Sequence, residues 1–262
     1  MRVYGIQTGP MLESMNLPLG AIQAIIGSRD TMFEVKGKQG HAGTSRMDLR
    51  QDATVGVAEM ILFIEDLCAN HPRMRETMLV CTVARMEVRP NVSNVISGDV
   101  MFTTDIRCLD ADVLEEVHEK IFSEMRAMSE RRKLAWFIVQ TQRNTGKKAI
   151  PMNEEVTAKL VAAGERASLM SEKIWGAHTV DETPPARGAD GTPREVPVLL
   201  SGAGHDAEIM TRITPRVGMF WVRCRGGISH SPLEFVEERD ITEAGVAMFQ
   251  YLLDEVAPSF IR

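Results

Sequence analysis

Residues 31–38, T-M-F-E-V-K-G-K, alternate apolar and polar side chains, and this alternation predicts a half-buried strand. A glycine turn follows, and from Met47 to Asn70 the apolar residues recur at helical spacing. Ser45, with Asp48 three residues later, predicts a capping box at the start of that helix. The sequence therefore predicts a strand that leads through a short turn into a long amphipathic helix.

The pattern continues through one self-contained segment of the chain. Met78–Val88 and Val95–Ile106 are rich in Val, Ile, Thr and Phe, so they predict two paired strands. Ala111–Arg131 predicts a second amphipathic helix, and Leu134–Thr141 predicts a further strand. The order strand, helix, strand, strand, helix, strand over residues 30–147 predicts an α+β domain of four strands and two helices.

The two ends of the chain, residues 1–29 and 148–262, predict a second domain that this segment interrupts. Helices are predicted at Asn153–Ala167, Gly204–Ile213 and Asp240–Val256, and short buried strands at Pro197–Leu200 and Gly218–Val222. The segment between Trp175 and Glu195 collects Pro, Gly and polar residues, which predicts a long surface loop. The expected architecture is an α/β fold with an inserted α+β domain.

The composition is that of an ordinary globular protein and disfavours several classes of partner. Of 262 residues 44% are hydrophobic and 25% charged, and a formal charge of −6 argues against a nucleic-acid-binding protein. No apolar run is long enough for a membrane helix, and the first ten residues lack the apolar core of a signal peptide. The four cysteines are far apart without a C-x-x-C pair, which favours a reducing cytoplasm. We therefore expect a cytoplasmic protein with neither nucleic acid nor membrane as a partner.

A first candidate functional residue is His41, in the glycine-bounded stretch G-H-A-G-T between the predicted strand and helix. A tight turn would hold its imidazole so that it can donate a hydrogen bond to a developing oxyanion. The alternative is a turn histidine that caps the following helix. The histidines His71, His118 and His178 are expected to be ordinary surface residues.

A second candidate site pairs Asn94 with Arg107, 13 residues apart on strands that a turn at Gly98 would bring together. An amide beside a guanidinium can clamp a carboxylate, because the guanidinium offers two parallel donors and the amide orients the second oxygen. The alternative is an Arg107 that is paired with Asp105 at a strand edge.

The remaining candidates lie in two glycine-rich loops of the second domain. Gly204 and His205 stand in S-G-A-G-H-D-A before a predicted helix, where the backbone could approach a ligand closely; a plain strand-to-helix connection is the alternative. His230, in G-G-I-S-H-S-P, is a candidate metal ligand or general acid. A metal site needs about three or four ligands, and no H-x-D, H-E-x-x-H or paired-Glu motif lies near it.

Taken together and in this order, the motifs resemble one family. They are G-H-A-G-T-x-x-M-D-L-R-x-D-A at 40–53, P-N-x-x-N-V-I-x-G at 90–98 with D-I-R at 105–107, S-G-A-G-H-D-A at 201–207 and G-G-I-S-H-S-P at 226–232. The resemblance is to the dinuclear-metal amidohydrolases that include N-carbamoyl-L-amino-acid hydrolase, allantoate amidohydrolase, ureidoglycolate amidohydrolase and β-ureidopropionase. This branch belongs to the aminoacylase and carboxypeptidase-G-like metallopeptidase clan.

The resemblance implies a catalytic α/β domain that is split by an inserted lid domain, a homodimer formed through residues 30–147, and a small ureido or carbamoyl carboxylate substrate. It also implies roles for single residues. His230 would be a metal ligand, Asn94 and Arg107 would bind the substrate carboxylate, Gly204 and His205 would contact substrate, and His41 would reach across the dimer interface to stabilise the tetrahedral intermediate. Two divalent ions, zinc or manganese, would activate the attacking water.

The sequence also departs from the family pattern. The family's H-I-E-Q-G-P stretch corresponds here to Gly5–Pro10, and of the usual five ligand positions only His230 matches. We therefore expect a C-terminal portion that lacks the N-terminal metal-binding segment, retains no metal alone and is inactive alone. Two alternatives stay open: a non-catalytic protein that dimerises or binds ligand, and one half of a split enzyme.

Overall fold

The computed structural model describes residues 2–6, 10–141, 148–175 and 195–260. The chain forms two compact units: Ile26–Ala149, here called the inserted unit, and Met1–Ile25 together with Ile150–Arg262, here called the discontinuous unit. The sequence-based boundaries were residues 30 and 147. Residues 176–194 of the predicted surface loop, with His178, lie outside the described residues.

The helices and strands alternate along the chain. The strands are β1 Arg2–Ile6, β2 Leu19–Ile25, β3 Gly27–Lys36, β4 Gly40–His41, β5 Val80–Arg89, β6 Val95–Ile96, β7 Asp99–Cys108, β8 Ala135–Thr141, β9 Ile150–Pro151, β10 Val198–Ser201 and β11 Gly218–Val222. The helices are α1 Met11–Ser14, α2 Ala53–Ala69, α3 Met74–Thr77, α4 Ala111–Arg132, α5 Glu154–Trp175, α6 Asp206–Met210 and α7 Glu238–Phe260, with 3₁₀ turns at Met47–Leu49 and Arg225–Gly227. This mixture of helices and strands confirms the predicted α/β fold class.

The inserted unit is a four-stranded antiparallel sheet in the order β5-β7-β3-β8. Burial alternates along the whole of β7, so every second side chain enters the core. That core includes Phe33 and Phe102, whose rings stack 5.2 Å apart, together with Met60 of α2 and Ile121 of α4. The two long helices thus cover one face of the four strands.

The start of α2 differs from the prediction. Asp52 caps this helix, because its carboxylate accepts hydrogen bonds from the backbone N–H groups of Thr54 at 3.0 Å and Val55 at 3.3 Å. The predicted capping box of Ser45 and Asp48 is wrong: Asp48 lies in the 3₁₀ turn that precedes the helix.

The discontinuous unit is built on a mixed sheet in the order β1-β11-β2-β10, with β9 paired to β2. Every residue of β11 is buried, so the strand has apolar neighbours on both faces. Phe220 and Val222 pack with α5 and α7, whereas Met219 and Trp221 pack with residues of α1 and α6. The described helices include none that is long and apolar enough to span a membrane.

A buried ion pair joins the end of this sheet to α7. Arg223 follows β11 directly and donates from Nε and Nη2 to the two carboxylate oxygens of Asp240, at 2.8 and 2.9 Å. Its Nη1 donates to the side-chain oxygen of Asn16 at 2.8 Å. Burial raises the pKa of Asp240, and the Arg223 guanidinium opposes that rise.

Three sequence-based expectations about single residues are wrong. His71 and His118 are buried rather than on the surface, with 7% and 8% of their areas exposed. Cys68 and Cys81 form a disulfide between α2 and β5, which the absence of a C-x-x-C pair did not indicate. Because the side chains at 68 and 81 meet only through the packing of a helix on a strand, their spacing in sequence carries no signal of the bond.

The surroundings of His118 keep its imidazole neutral. Arg29 donates from Nη1 to His118 Nδ1 at 2.8 Å and from Nη2 to Glu115 at 2.6 Å. Since a guanidinium can only donate, Nδ1 must be the acceptor, and Nε2 carries the proton and lies 3.4 Å from the hydroxyl of Thr31. Burial, and then the charge of Arg29, lower the pKa of His118 to about 4.

We expect His118 to destabilise the inserted unit as the pH falls from 7 to 4. The unfolded chain binds this proton near the ordinary imidazole pKa of 6.5 and the folded chain only near 4, so unfolding takes up a proton between these values. The free energy of unfolding of the inserted unit should therefore fall by about 3 kcal/mol across this pH window. Hydrogen exchange of the β7 amides at the two ends of the window, corrected for intrinsic rates, measures it.

In His118→Gln the difference in opening free energy between the two pH values should shrink by that amount, because the titrating group is gone. Gln39→Asn, which changes an exposed residue of the same unit that does not titrate, is the control and should leave the difference unchanged. An equal pH dependence in the wild type and His118→Gln would contradict the expectation.

For the discontinuous unit we expect Arg223→Met to lower the free energy of opening at pH 7 by about 3–5 kcal/mol, because it leaves the Asp240 carboxylate buried without its partner. Hydrogen exchange of the β11 amides measures the loss, which should decrease at low pH as Asp240 becomes protonated. Arg166→Met removes an exposed pair with Asp254 and should cost below about 1 kcal/mol. Equal losses in the two variants would contradict the role given to the buried pair.

Candidate active site

The structure brings two of the predicted site residues together on a small ribbon of the inserted unit. Strands β4 and β6 pair antiparallel, with His41 opposite Val95 and Gly40 opposite Ile96. The backbone N–H of Ala42 donates to the carbonyl oxygen of Asn94 at 2.9 Å, which extends the pairing by one residue. His41 and Asn94 are therefore close neighbours, and both are exposed.

The hydrogen bonding of His41 fixes which ring nitrogen carries the proton. The backbone N–H of Gly43 donates to His41 Nδ1 at 3.0 Å. A nitrogen that accepts a hydrogen bond has no proton of its own, so in the neutral ring the proton sits on Nε2. The imidazole of His41 thus presents an N–H donor at the exposed end of the ribbon, and the backbone of Asn94 lies on the adjacent segment.

Arg107 lies elsewhere in the same unit. It stands near the end of β7, opposite Ser28 of β3 and Val80 of β5. Its Nε and Nη2 donate to Asp105 at 2.9 and 2.6 Å, and this bonding raises the pKa of Arg107. The ion pair with Asp105 is the alternative that the sequence left open, and it does form.

The expected contact of Asn94 with Arg107 through the turn at Gly98 is wrong. The turn joins β6 to the beginning of β7 at Asp99, so Asn94 stays near that end of the strand. Arg107 stands eight residues further along β7, a distance of about 27 Å at the rise of an antiparallel strand. Because the pattern in the sequence ran through residues 95–106 without a break, it did not show that two separate strands lie here.

His205 and Gly204 lie in the discontinuous unit between β10 and α6. His205 is the N-cap residue of α6, and its Nε2 is 2.7 Å from the buried hydroxyl of Ser201. Burial lowers the pKa of His205, and Asp206 partly opposes this. Gly204 is exposed, and a Cβ added there would meet no protein atom within 4 Å, so the space beside its backbone is open to a ligand. Helix α6 has five residues instead of the ten predicted.

Ser201 is a residue that the sequence analysis missed. Its hydroxyl accepts from the N–H of Ala203 at 3.2 Å and donates to the carbonyl oxygen of that residue at 3.1 Å or to His205. Ser201 stands inside the quoted glycine-rich motif, four residues before His205. Only the sharp connection from β10 to α6 shows that the two side chains meet.

His230 is exposed and lies in a loop with unusual backbone geometry. Its φ is +55°, and Gly226 and Gly227 at the start of the loop have φ values of +64° and +59°. Its backbone N–H donates to the Glu234 carboxylate at 3.1 Å. Among the described residues it belongs to no group of three His, Cys, Asp or Glu side chains that could hold an ion. These residues therefore do not fit a two-metal centre at His230.

One such group does occur among the described side chains, in the inserted unit. Glu115, His118 and Glu119 offer ligand atoms within 4.8 Å of one another. The guanidinium of Arg29 already donates to Glu115 and to His118 Nδ1. The guanidinium thus already binds two of the three candidate ligands, and both glutamates are exposed, so the cluster is better explained as a partly exposed ion network.

A cleft of about 300 Å³ opens in the discontinuous unit beside the Arg223–Asp240 pair. Its wall combines three arginines with three carboxylates and one amide: Arg223, Arg225, Arg239, Glu13, Glu237, Asp240 and Asn16. Arg225 also pairs with Glu237 at 2.5 Å and stacks over the ring of Phe235 at 4.5 Å. The wall is thus strongly polar, and its charges are largely compensated within the protein.

The similarity to known proteins covers nearly the whole chain. The chain is 36% identical to allantoate deiminase of Arabidopsis thaliana in an alignment of 261 positions that covers 94% of this chain and 46% of that protein. It is 32% identical to N-carbamoyl-L-amino-acid amidohydrolase of Pseudomonas sp. (strain NS671) over 251 residues, which are 96% of this chain and 53% of that protein. The chain thus spans about half the length of these relatives.

A solved structure shares the fold. The crystal structure of AtUAH in complex with glyoxylate superposes with a TM-score of 0.76 at 23% identity, over 97% of this chain and 52% of that one. No family model matches the sequence. The resemblance inferred from the four motifs is nevertheless confirmed by the relatives. Over its own length the chain is similar to allantoate deiminases and N-carbamoyl-L-amino-acid amidohydrolases.

Proposed function

We propose that this chain is the substrate-binding part of an amidohydrolase. Its reaction would be hydrolysis of a linear C–N amide or ureido bond in a small carboxylate of the N-carbamoyl amino acid, allantoate or ureidoglycolate type. The similarity to an allantoate deiminase and an N-carbamoyl-L-amino-acid amidohydrolase supports this reaction class. The single observation that carries the proposal is the pair of exposed donors, His41 and Asn94, at the β4–β6 ribbon.

The chemistry of this pair suits a carbonyl group under attack. His41 would donate from Nε2 and Asn94 from its amide to the oxygen that becomes negatively charged in a tetrahedral intermediate. Donors that are held in place before the reaction stabilise such an oxygen without reorganisation, and removal of one typically costs about 10²–10³ in kcat. His41 would thus act as a catalytic residue, with Asn94 beside it.

Arg107, Gly204 and His205 would bind the rest of the substrate. Arg107 would recognise the carboxylate, with Asp105 holding the guanidinium in place through its Nε and Nη2. Gly204 leaves room for close approach to the backbone, and His205, neutral and bonded to Ser201, would donate or accept a hydrogen bond.

The positions within the inserted unit favour a homodimer. The strand β7 separates Arg107 from the end at which the His41 ribbon lies. A substrate of a few ångströms would hardly span that length, so one copy of the unit is ill placed to present both groups to it. We propose that His41 of one chain serves the substrate that is bound by Arg107 of a second copy, through an interface formed by residues 30–147.

The proposed hydrolysis would require metal ions. Zinc or manganese would supply activated water in such a reaction, and His230 is the residue of this chain proposed to ligate one ion. Because the described residues do not complete a metal centre there, we propose that the chain by itself binds substrate without hydrolysing it.

We expect the purified chain, dialysed after exposure to zinc or manganese, to retain less than about one ion per chain. Elemental analysis measures this, and ammonia release from allantoate or an N-carbamoyl amino acid should stay at background. One ion or more together with turnover would overturn the proposed dependence on further ligands. Turnover that appears only after a full-length relative's metal-binding half is added as a separate chain would identify a split enzyme.

Binding tests the substrate class separately. Calorimetric titration with allantoate should show that Arg107→Gln weakens binding about 10- to 100-fold, the loss expected when a charged hydrogen bond is removed. Arg85→Gln is the matched control, because Arg85 forms the same two-residue-spaced pair with Glu87 on the neighbouring strand β5. Equal affinities in wild type and Arg107→Gln would remove Arg107 from the site.

A further inference from the structure

Arg50 reaches back from the start of α2 to the loop that carries His41. Its Nη2 donates to the carbonyl oxygen of Ala42 at 2.6 Å, and its Nε donates to the carbonyl oxygen of Ser45 at 3.1 Å. The side chain is half-buried. Charge-assisted bonds of this kind are stronger than those between neutral groups, so one guanidinium fixes two peptides of the same loop.

A hydrogen bond, a close backbone contact and a helix cap fix the chain that directly follows Arg50. Gln51 accepts a hydrogen bond from the N–H of Lys38 at 2.8 Å, and its carbonyl oxygen would lie 2.1 Å from a Cβ at Gly37. Asp52, the next residue, caps α2. Arg50 therefore stands on a rigid base and can hold the loop against it.

One peptide group connects Arg50 to the imidazole. The carbonyl oxygen of Ala42, which accepts from Arg50, and the N–H of Gly43, which donates to His41 Nδ1, belong to the same peptide plane. A hydrogen bond at one end of a peptide orients it and polarises its other end. The Arg50 guanidinium thus acts on the bond that keeps the proton of His41 on Nε2.

From this geometry we propose that Arg50 is a positioning residue that holds His41 in its Nε2–H tautomer, and the proposal rests on the oxyanion-donor role proposed for His41. Arg46 lies in the same loop and serves as an internal comparison. It pairs with Asp48, at 2.9 and 3.1 Å, and its side chain is 75% exposed. Unlike Arg46, Arg50 donates hydrogen bonds to the backbone of the loop that carries His41.

The test measures the tautomer directly, by long-range ¹H–¹⁵N correlation of the imidazole nitrogens in the full, ¹⁵N-labelled chain near pH 8.5, about two units above the ordinary imidazole pKa. The wild type should show His41 mainly as the Nε2–H form. Arg50→Gln should lower the ratio of Nε2–H to Nδ1–H about fivefold, the loss that corresponds to one hydrogen bond of about 1 kcal/mol. Arg46→Gln should leave the ratio unchanged.

An unchanged ratio in Arg50→Gln, or an equal change in Arg46→Gln, would overturn the proposal. Arg50→Lys keeps the charge but loses the planar fork, so its ratio should fall between those of wild type and Arg50→Gln. Should Arg50→Gln fail to fold, Arg50→Lys decides, because a wild-type ratio in that variant would contradict the role of the fork. The tautomer ratio is measured without any turnover. A failure of this proposal can therefore be told apart from a failure of the proposed hydrolysis.

Discussion

The hydrogen bond from the N–H of Ala42 to the carbonyl oxygen of Asn94 is the interaction on which the candidate site depends. It extends the β4–β6 ribbon and joins two motifs that are about fifty residues apart in the sequence. Together with the β4–β6 pairing, it brings the backbones of His41 and Asn94 next to each other. Both residues are exposed on this ribbon, which follows the end of β3.

Arginine side chains bind several of the polar groups in both units of the chain. Arg50 fixes loop carbonyls, Arg29 fixes a buried histidine, and Arg223 fixes a buried carboxylate. In each case a planar, permanently charged fork satisfies several acceptors at once, which an ammonium group could not do with the same geometry. Arg107 is bound in the same way by Asp105, so the orientation of this guanidinium is fixed within the protein.

The sequence predicted the elements well where one periodicity extended over many residues. The alternation at 31–38 and the helical spacing in residues 47–70 and 111–131 gave strands and helices close to those observed. Predictions that depended on tertiary contacts were weaker. The spacing of His118 suggested a solvent-facing position, whereas Arg29 and Thr31 bury it, and the true cap of α2 is Asp52 rather than Ser45. The sequence also predicted the wrong neighbour for Asn94. The strand β6 that follows it has only two residues, which is too short to leave a periodic signal.

The most direct test of the shared site is an NMR titration of the full chain with allantoate. If His41 and Asn94 contact the same ligand, the His41 Nε2–H signal and the Asn94 side-chain amide signals should shift together and saturate with a single Kd. Shifts confined to one of the two residues, or two different Kd values, would show that the ribbon does not form one site.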